Sequence, residues 1–331
     1  MPAFVDRFLE SFKVRLRTTF AGQSEGVPEW EDALENGDDA GYFPHTSATW
    51  HVHGGMTPIA AGIKALLLQA LHPGALAGVA EHSDYRADPL ARLAGTIRWI
   101  FTVTYGDTAA AHGACDYVRR RHEPVVGTYM AATGETLAYS ANDASLSRWV
   151  HCAFAEAFLT AYENFRGPIP LPPDALPGES GADAYVREWS VAGTFMGVES
   201  PPRSRAELSA ALLQYDDDAH LSGGPRVREV VHFLRNPPLD PMLLPGYRLL
   251  FLAGVNSLTP RQAELLELRQ WPRFLRPVSN GLARFALAVV QLGLLKVGPS
   301  ELAARRRLRR LGVLPSSELA PDAQFPAELP S

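Results

Sequence analysis

Between Gly62 and His151 the chain sets side chains that can hold a metal or cofactor among apolar, alanine-rich helix. They are Leu66-Leu67-Leu68-Gln69-Ala70-Leu71-His72-Pro73, Arg92-Leu93-Ala94-Gly95-Thr96, His122-Glu123-Pro124-Val125-Val126-Gly127 and Trp149-Val150-His151. Neutral imidazole ligates iron and other transition metals, and a guanidinium forks onto carboxylates. A helical protein that keeps histidines beside its core in this way is read as holding a metal or cofactor.

Each histidine also has a plainer reading. His122 ends a run carrying Tyr117, Val118 and Arg119 to Arg121, with Pro124 two residues on, so it is either a partner for the helix C-terminal dipole or a ligand facing inward. His151 precedes Cys152-Ala153-Phe154-Ala155, where small residues would let a flat ligand approach the backbone; a satisfied core histidine fits the same pattern. Pro73 disfavours α geometry at His72, which places that side chain at a helix end beside a pocket. His45, His51, His53, His82, His112 and His220 read as surface or loop residues.

Other chemistries find little support. Glu229-Val230-Val231-His232 is one Glu-x-x-His unit, whereas a carboxylate di-iron bundle needs two. No HExxH, strand-linked GxGxxG or GxxxxGK[ST] occurs, which removes the zinc-protease, dinucleotide and P-loop readings. Cys115 and Cys152 make neither a disulfide framework nor a CxxC knuckle and read as fillers of small core gaps.

The elements that must position these groups are helices. Thr57-Pro58 and Asp88-Pro89 are cap-plus-proline starts, and the punctuation predicts helices over 57–72, 74–81, 88–105, 108–132, 144–165, 183–196, 205–215, 224–234, 239–255 and 260–268. Period-two alternation never runs at length, so no strands are expected. Two further helices follow Trp271 before a Pro-rich tail, and residues 4–14 form an amphipathic helix through Phe4, Phe8 and Phe12. Residues 23–39 read as an acidic loop, and 167–181 as a Pro-rich internal connector. The organisation expected is an N-terminal helix and loop (1–41), a helical domain (42–255) and a C-terminal helical extension with tail (256–331).

A net charge of -5 gives no global attraction to phosphate backbones, so nucleic acid is not an expected partner. The basic run Arg305-Arg306-Arg307 with Arg309-Arg310 reads as a solvated helix face, with contact to acidic lipid as the alternative. No window reaches the roughly 18 apolar residues of a spanning helix. The nearest, Phe285 to Leu295, is flanked by Arg284 and Lys296, so any membrane contact is peripheral. Cysteine usage and the lack of a signal-peptide pattern set a cytoplasmic expectation, with membrane association left open. The oligomeric state has no signal.

The motifs taken together carry a resemblance. Ala65 to Pro73, Gly78-Val79 with His82-Ser83, Asp88-Pro89-Leu90-Ala91-Arg92-Leu93 with Thr96, Tyr105-Gly106-Asp107, His122 to Gly127 and Trp149-Val150-His151, continuing through Gly197-Val198 and Leu208, resemble the family that includes the latex-clearing rubber oxygenases and the fungal oxygenase of mycophenolic acid biosynthesis. The resemblance covers residues 42–255. It implies an all-α, multi-helix fold with a globin-like core around b-type haem, the iron held by a histidine, and an arginine and threonine near the haem.

On this chain those positions are His122, Arg92 and Thr96. One helical turn apart, Arg92 and Thr96 share a face and can meet a propionate. The competing reading pairs Arg92 with Asp88 and turns Thr96 back onto its own helix. His151 is a second haem-pocket candidate, as sixth ligand, as hydrogen-bond donor to bound oxygen or as iron ligand in place of His122; His72 completes the cofactor-binding set.

The activity implied is O2-dependent oxidation of a C=C or C–H bond in a hydrophobic small molecule, with Leu67, Trp99 and Phe154 excluding water. A haem-binding or sensing protein without oxidation, and a scaffold that has lost its cofactor, are the alternatives. Two departures stand out: Glu81 is only an approximate counterpart of the family's carboxylate base, and Lys64 replaces an arginine, which puts a bidentate contact in doubt.

Overall fold

The computed structural model describes residues 28–82, 89–218, 220–293 and 298–315, with backbone alone for 89–94 and 290–293. The amphipathic helix expected over residues 4–14 and the Pro-rich tail lie outside the described residues. Among those described, a short helix α1 (Glu29–Asp32) runs into a 3-10 turn (Ala33–Glu35), followed by α2 (Ala48–His53), α3 (Thr57–Gln69), α4 (Pro73–His82), α5 (Pro89–Tyr105) and α6 (Thr108–His122). A hairpin, β1 (Val126–Met130) and β2 (Thr136–Ser140), leads to α7 (Ala144–Arg166), α8 (Gly181–Phe195), α9 (Arg205–Asp217) and α10 (Pro225–Arg235). α11 (Leu244–Asn256), α12 (Pro260–Leu265), α13 (Arg276–Gly293) and α14 (Pro299–Arg310) complete the fold, which is all-α apart from the hairpin.

Caps fix many of these boundaries. The Asp107 carboxylate accepts the Ala110 amide at 2.8 Å to start α6. Ser180 with Asp183 and Thr259 with Gln262 form reciprocal capping boxes for α8 and α12. Each such cap is worth about 1 kcal/mol because it satisfies amides that the first turn leaves without partners. Gly167 ends α7 at φ 93°, a left-handed conformation that glycine adopts without Cβ strain.

Two segments depart from the expectation. Residues 23–39, read as a loop, contain α1 and the 3-10 turn: Pro28 precedes them, and Glu29, Glu31 and Asp32 put negative charge at the helix N-terminus. The helix expected over 108–132 stops at His122, ahead of Pro124, and the chain turns into the hairpin. Val126 pairs with Ser140 and Met130 with Thr136, while Gly134 takes the turn at φ 86°. Side chains alternate in burial along β1, and Tyr139 is tucked against Ala77 and Leu146.

α3 and α7 form the most extensively packed pair at the centre. α11 lies on α3, α13 on α11, α9 across α7, and α2 bridges α5 and α8. A single hydrophobic cluster runs from Leu34 to Leu314. Across the central pair the buried Lys64 Nζ meets Glu156 Oε1 at 3.1 Å and donates to Thr160 at 2.8 Å, the point contact expected of lysine rather than an arginine fork.

The C-terminal arginines are a solvated face only in part: Arg306 and Arg310 are exposed, whereas Arg305 and Arg307 are buried. Arg307 is fully buried and donates to the carbonyls of Leu34 and Tyr105, each at 2.8 Å, and of Ala40 at 3.5 Å. Arg305 pairs with Glu301 at 2.9 Å, and Arg306 with Glu35. The cluster clamps α14 onto α1 and its 3-10 turn, satisfying carbonyls at element ends that have no amide to meet.

No single helix among the described residues is long and apolar enough to cross a membrane. α3 and α4 pass that test only together, and they are bent by 106° at their junction.

Candidate functional site

A cavity of about 320 Å³ opens beside the central helices. α3 supplies Ile59, Ile63 and Leu66, α5 supplies Thr96, Ile97 and Ile100, and α7 supplies Phe154 and Phe158. Pro237, Pro238 and Leu239, between α10 and α11, and Tyr247 of α11 line it further. These positions fall on the inner faces of helices at three- and four-residue spacing, so the apolar periodicity that builds the core also builds the wall. Of the three residues expected to exclude water, Phe154 lines this space; Leu67 and Trp99 do not.

One corner is polar. Glu31 of α1 meets the Ser300 hydroxyl of α14, with Glu301 beside it. Glu31 is only 6% exposed, and burial pushes its carboxyl above the usual range, partly offset by the Ser300 hydrogen bond. These groups come from helices at opposite ends of the described chain, and no local motif in the sequence links them.

His53, read from sequence as a surface or loop residue, is buried and lines the cavity. Its Nδ1 lies 2.7 Å from Thr104 Oγ1, and its Nε2 lies 3.2 Å from the Tyr185 hydroxyl. Thr104 donates its own proton to the Ile100 carbonyl at 2.8 Å. Nδ1–H must therefore be the donor to Thr104, which leaves Nε2 to accept from Tyr185. Burial lowers this imidazole to about 3, so it is neutral near pH 7. The signal that could have found it is helical spacing: His53 stands three and four residues after Trp50 and Thr49, both buried.

The structure does not gather the expected site residues at one place. Thr96 lines the cavity; Arg92 lies one turn earlier on α5, with its side chain outside the described residues. His122 is the half-buried last residue of α6, and its carbonyl accepts the Val125 amide at 3.0 Å. His151 sits on α7 against Gly193 of α8, where an added Cβ would lie 2.9 Å from its Cε1. Burial lowers it to about 4. His72 packs against Trp149 and Tyr215, with its ring near-parallel to that of His220. Its Nδ1 accepts the Gly74 amide at 3.2 Å, and burial, then the charge of His220, lowers it to about 4.

None of His72, His122 and His151 is among the residues that line the cavity. Glu81 is also away from it: exposed, it accepts from the Tyr139 hydroxyl and pairs with Arg226, each at 3.2 Å. Cys115 and Cys152 are buried free thiols, pushed up to about 11 and about 12 by burial, as expected of core fillers.

The donor set tests whether this cavity suits b-type haem. Its apolar walls suit a flat apolar ring, but an axial ligand needs an imidazole lone pair facing the space. Among the described residues that line it, the only histidine is His53, whose lone pair is engaged by Tyr185. The walls fit the group and the ligand position does not. Nor do three or more His, Cys, Asp or Glu side chains converge as a metal site among the described residues.

Comparison with known proteins adds one finding. No curated protein and no solved structure matches this chain. Residues 50–291, well over half the chain, match the family described as ER-bound oxygenase mpaB/B'/Rubber oxygenase, catalytic domain, and the protein belongs to that family.

Proposed function

We propose that this protein is an oxygenase that uses O2 to cleave a C=C bond or hydroxylate a hydrophobic small molecule, with b-type haem as its cofactor in a globin-like core. Family membership supports the oxygenase class. The observation that carries the substrate class is the cavity, whose walls from α3, α5 and α7 are almost wholly apolar. Such walls desolvate an apolar molecule and offer water few partners, which favours oxidation of the bound molecule over side reactions.

His122 is proposed as the iron ligand, with Arg92 and Thr96 near the propionates and His151 and His72 as further cofactor-binding residues. The support for these roles is the match to the family's motif order. Thr96 alone of them lines the cavity.

A second reading, a helical protein that keeps the fold and has lost the cofactor, is favoured by one observation: the lining histidine is locked between Thr104 and Tyr185. Absorption spectra of oxidised and dithionite-reduced protein from haem-replete cells separate the two. A Soret band lost in His122→Ala and kept in His53→Ala supports the oxygenase with His122 as ligand. A band lost only in His151→Ala moves the ligand to α7. No band at full haem supply overturns the haem-dependent reading and leaves the scaffold.

A further inference from the structure

The 3-10 turn at Arg273–Leu275 and helix α13 present an apolar ridge to solvent. Phe274 is 79% exposed and Phe285 67%, with Leu275, Val278, Leu282 and Val289 also exposed. At about 100° per residue, Val278, Leu282, Phe285 and Val289 fall within an arc of roughly 60° on one side of α13. The opposite side is committed to the fold. Ala283, Ala286 and Leu287 are buried, and Ser279 accepts from the Asn256 side chain at 2.9 Å. Isolated exposed leucines need no explanation, but two phenylalanines in line with four aliphatic side chains form a contiguous patch of the kind that marks an interaction surface.

The charge around the ridge selects what covers it. Between Glu267 and Glu301 the sequence has no acidic residue and five basic ones, Arg269, Arg273, Arg276, Arg284 and Lys296, in a chain whose net charge is -5. Arg276 donates to the Gln270 side chain at 3.1 Å and Arg284 to the Asn164 carbonyl at 2.8 Å, neutral acceptors that orient the guanidinium groups. Arg269 and Arg273 are exposed. Aromatic and aliphatic side chains on one face, in a segment whose charged residues are all basic, match the headgroup–acyl boundary of an anionic bilayer. A second copy docked through this face would bring the same arginines together in an isologous contact, which like-charge repulsion opposes.

We propose that the Phe274–Val289 ridge is a docking surface for an anionic lipid bilayer. α13 would lie in the membrane plane, with Phe274 and Phe285 inserted at acyl depth and the arginines at the level of the phosphates. Behind it, a Cβ built on Gly246 of α11 would lie 4.0 Å from that of Ala286, and the next residue, Tyr247, lines the cavity. A bilayer on α13 therefore sits one helix layer from the apolar cavity. The docking surface stands independently of the oxygenase reading.

The test is vesicle co-sedimentation of the full chain with phosphatidylcholine vesicles, with and without about one-third phosphatidylserine. The expected result is binding to the anionic vesicles that salt weakens. The double variant F274S/F285S should then bind at least about tenfold more weakly while melting at the wild-type temperature. F8S/F12S, which removes the other aromatic face read from the sequence, should bind as wild type. No binding to anionic vesicles, or F274S/F285S binding as wild type, overturns the proposal. So does a dimer in light scattering that F274S/F285S dissociates, or a lowered melting temperature for that variant, either of which would show the ridge covered by protein.

Discussion

The imidazole of His151 rests directly on the backbone of Gly193, so a methyl group there would lie 2.9 Å from its Cε1 and 3.0 Å from its Nδ1. The two residues belong to packed helices, α7 and α8, and neither helix can retreat without opening the core. Gly193→Ala is expected to cost about 1–3 kcal/mol through overpacking. His151→Ala in the same chain should recover part of that loss, because it removes the ring that clashes. Denaturant unfolding of the two single variants and the double variant checks this; additive losses would mean that the two residues are not coupled.

Acid should destabilise the protein well above the range in which carboxylates titrate. His53 is lowered to about 3, and His72 and His151 to about 4, in each case mainly by burial. Their folded values lie below the unfolded value near 6.5, so below that pH the unfolded chain takes up protons that the folded chain refuses. The stability these neutral rings allow is present above about pH 6.5 and is lost as pH falls toward 4, on the order of 3 kcal/mol per ring. Unfolding free energies measured between pH 7 and pH 4 should fall steeply, and His151→Gln should flatten the slope.

Lys64 and Glu156 should matter more when separated than when removed together. The lysine is 2% exposed, so Glu156→Gln leaves a buried ammonium with only neutral acceptors, the new amide oxygen and Thr160, an expected loss of about 2–4 kcal/mol. The double change Lys64→Met with Glu156→Gln removes both charges and should lose less than Glu156→Gln alone. A double-variant cycle by chemical denaturation reads the difference.

Filling the cavity is expected to abolish ligand uptake without unfolding the chain. Ile97→Trp projects an indole from α5 into the apolar space. Binding of an apolar fluorescent dye should weaken by about tenfold or more, with the helical circular dichroism unchanged. Unaltered dye binding would place the binding space elsewhere.

Much of this was legible in the sequence, for reasons that differ by element. The helix starts near Pro58 and Pro89 could be read because proline acts locally. Thr57, expected as a cap, is instead the first helical residue after Met56 and makes no capping hydrogen bond, and Asp88 lies outside the described residues. The hairpin was missed because Val126–Met130 and Thr136–Ser140 are short, and the long helical run before them masked the alternation. His53 was misplaced because its burial depends on Thr104 and Tyr185, which are 51 and 132 residues away. The polar corner of Glu31 and Ser300 spans 269 residues and had no local signal at all. The family motifs, by contrast, are contiguous strings, and they led directly to the oxygenase class.

The Arg307 clamp also bears on how the protein could diverge. By holding α14 on α1 it fixes Trp30, Glu31, Ser300 and Glu301 at the cavity, and all four lie outside the family-matched residues 50–291. Part of the chamber is thus furnished by flanking sequence rather than by the shared domain. Relatives could exchange these flanks and acquire a different appetite for polar groups on their ligands while the common helical framework stays unchanged.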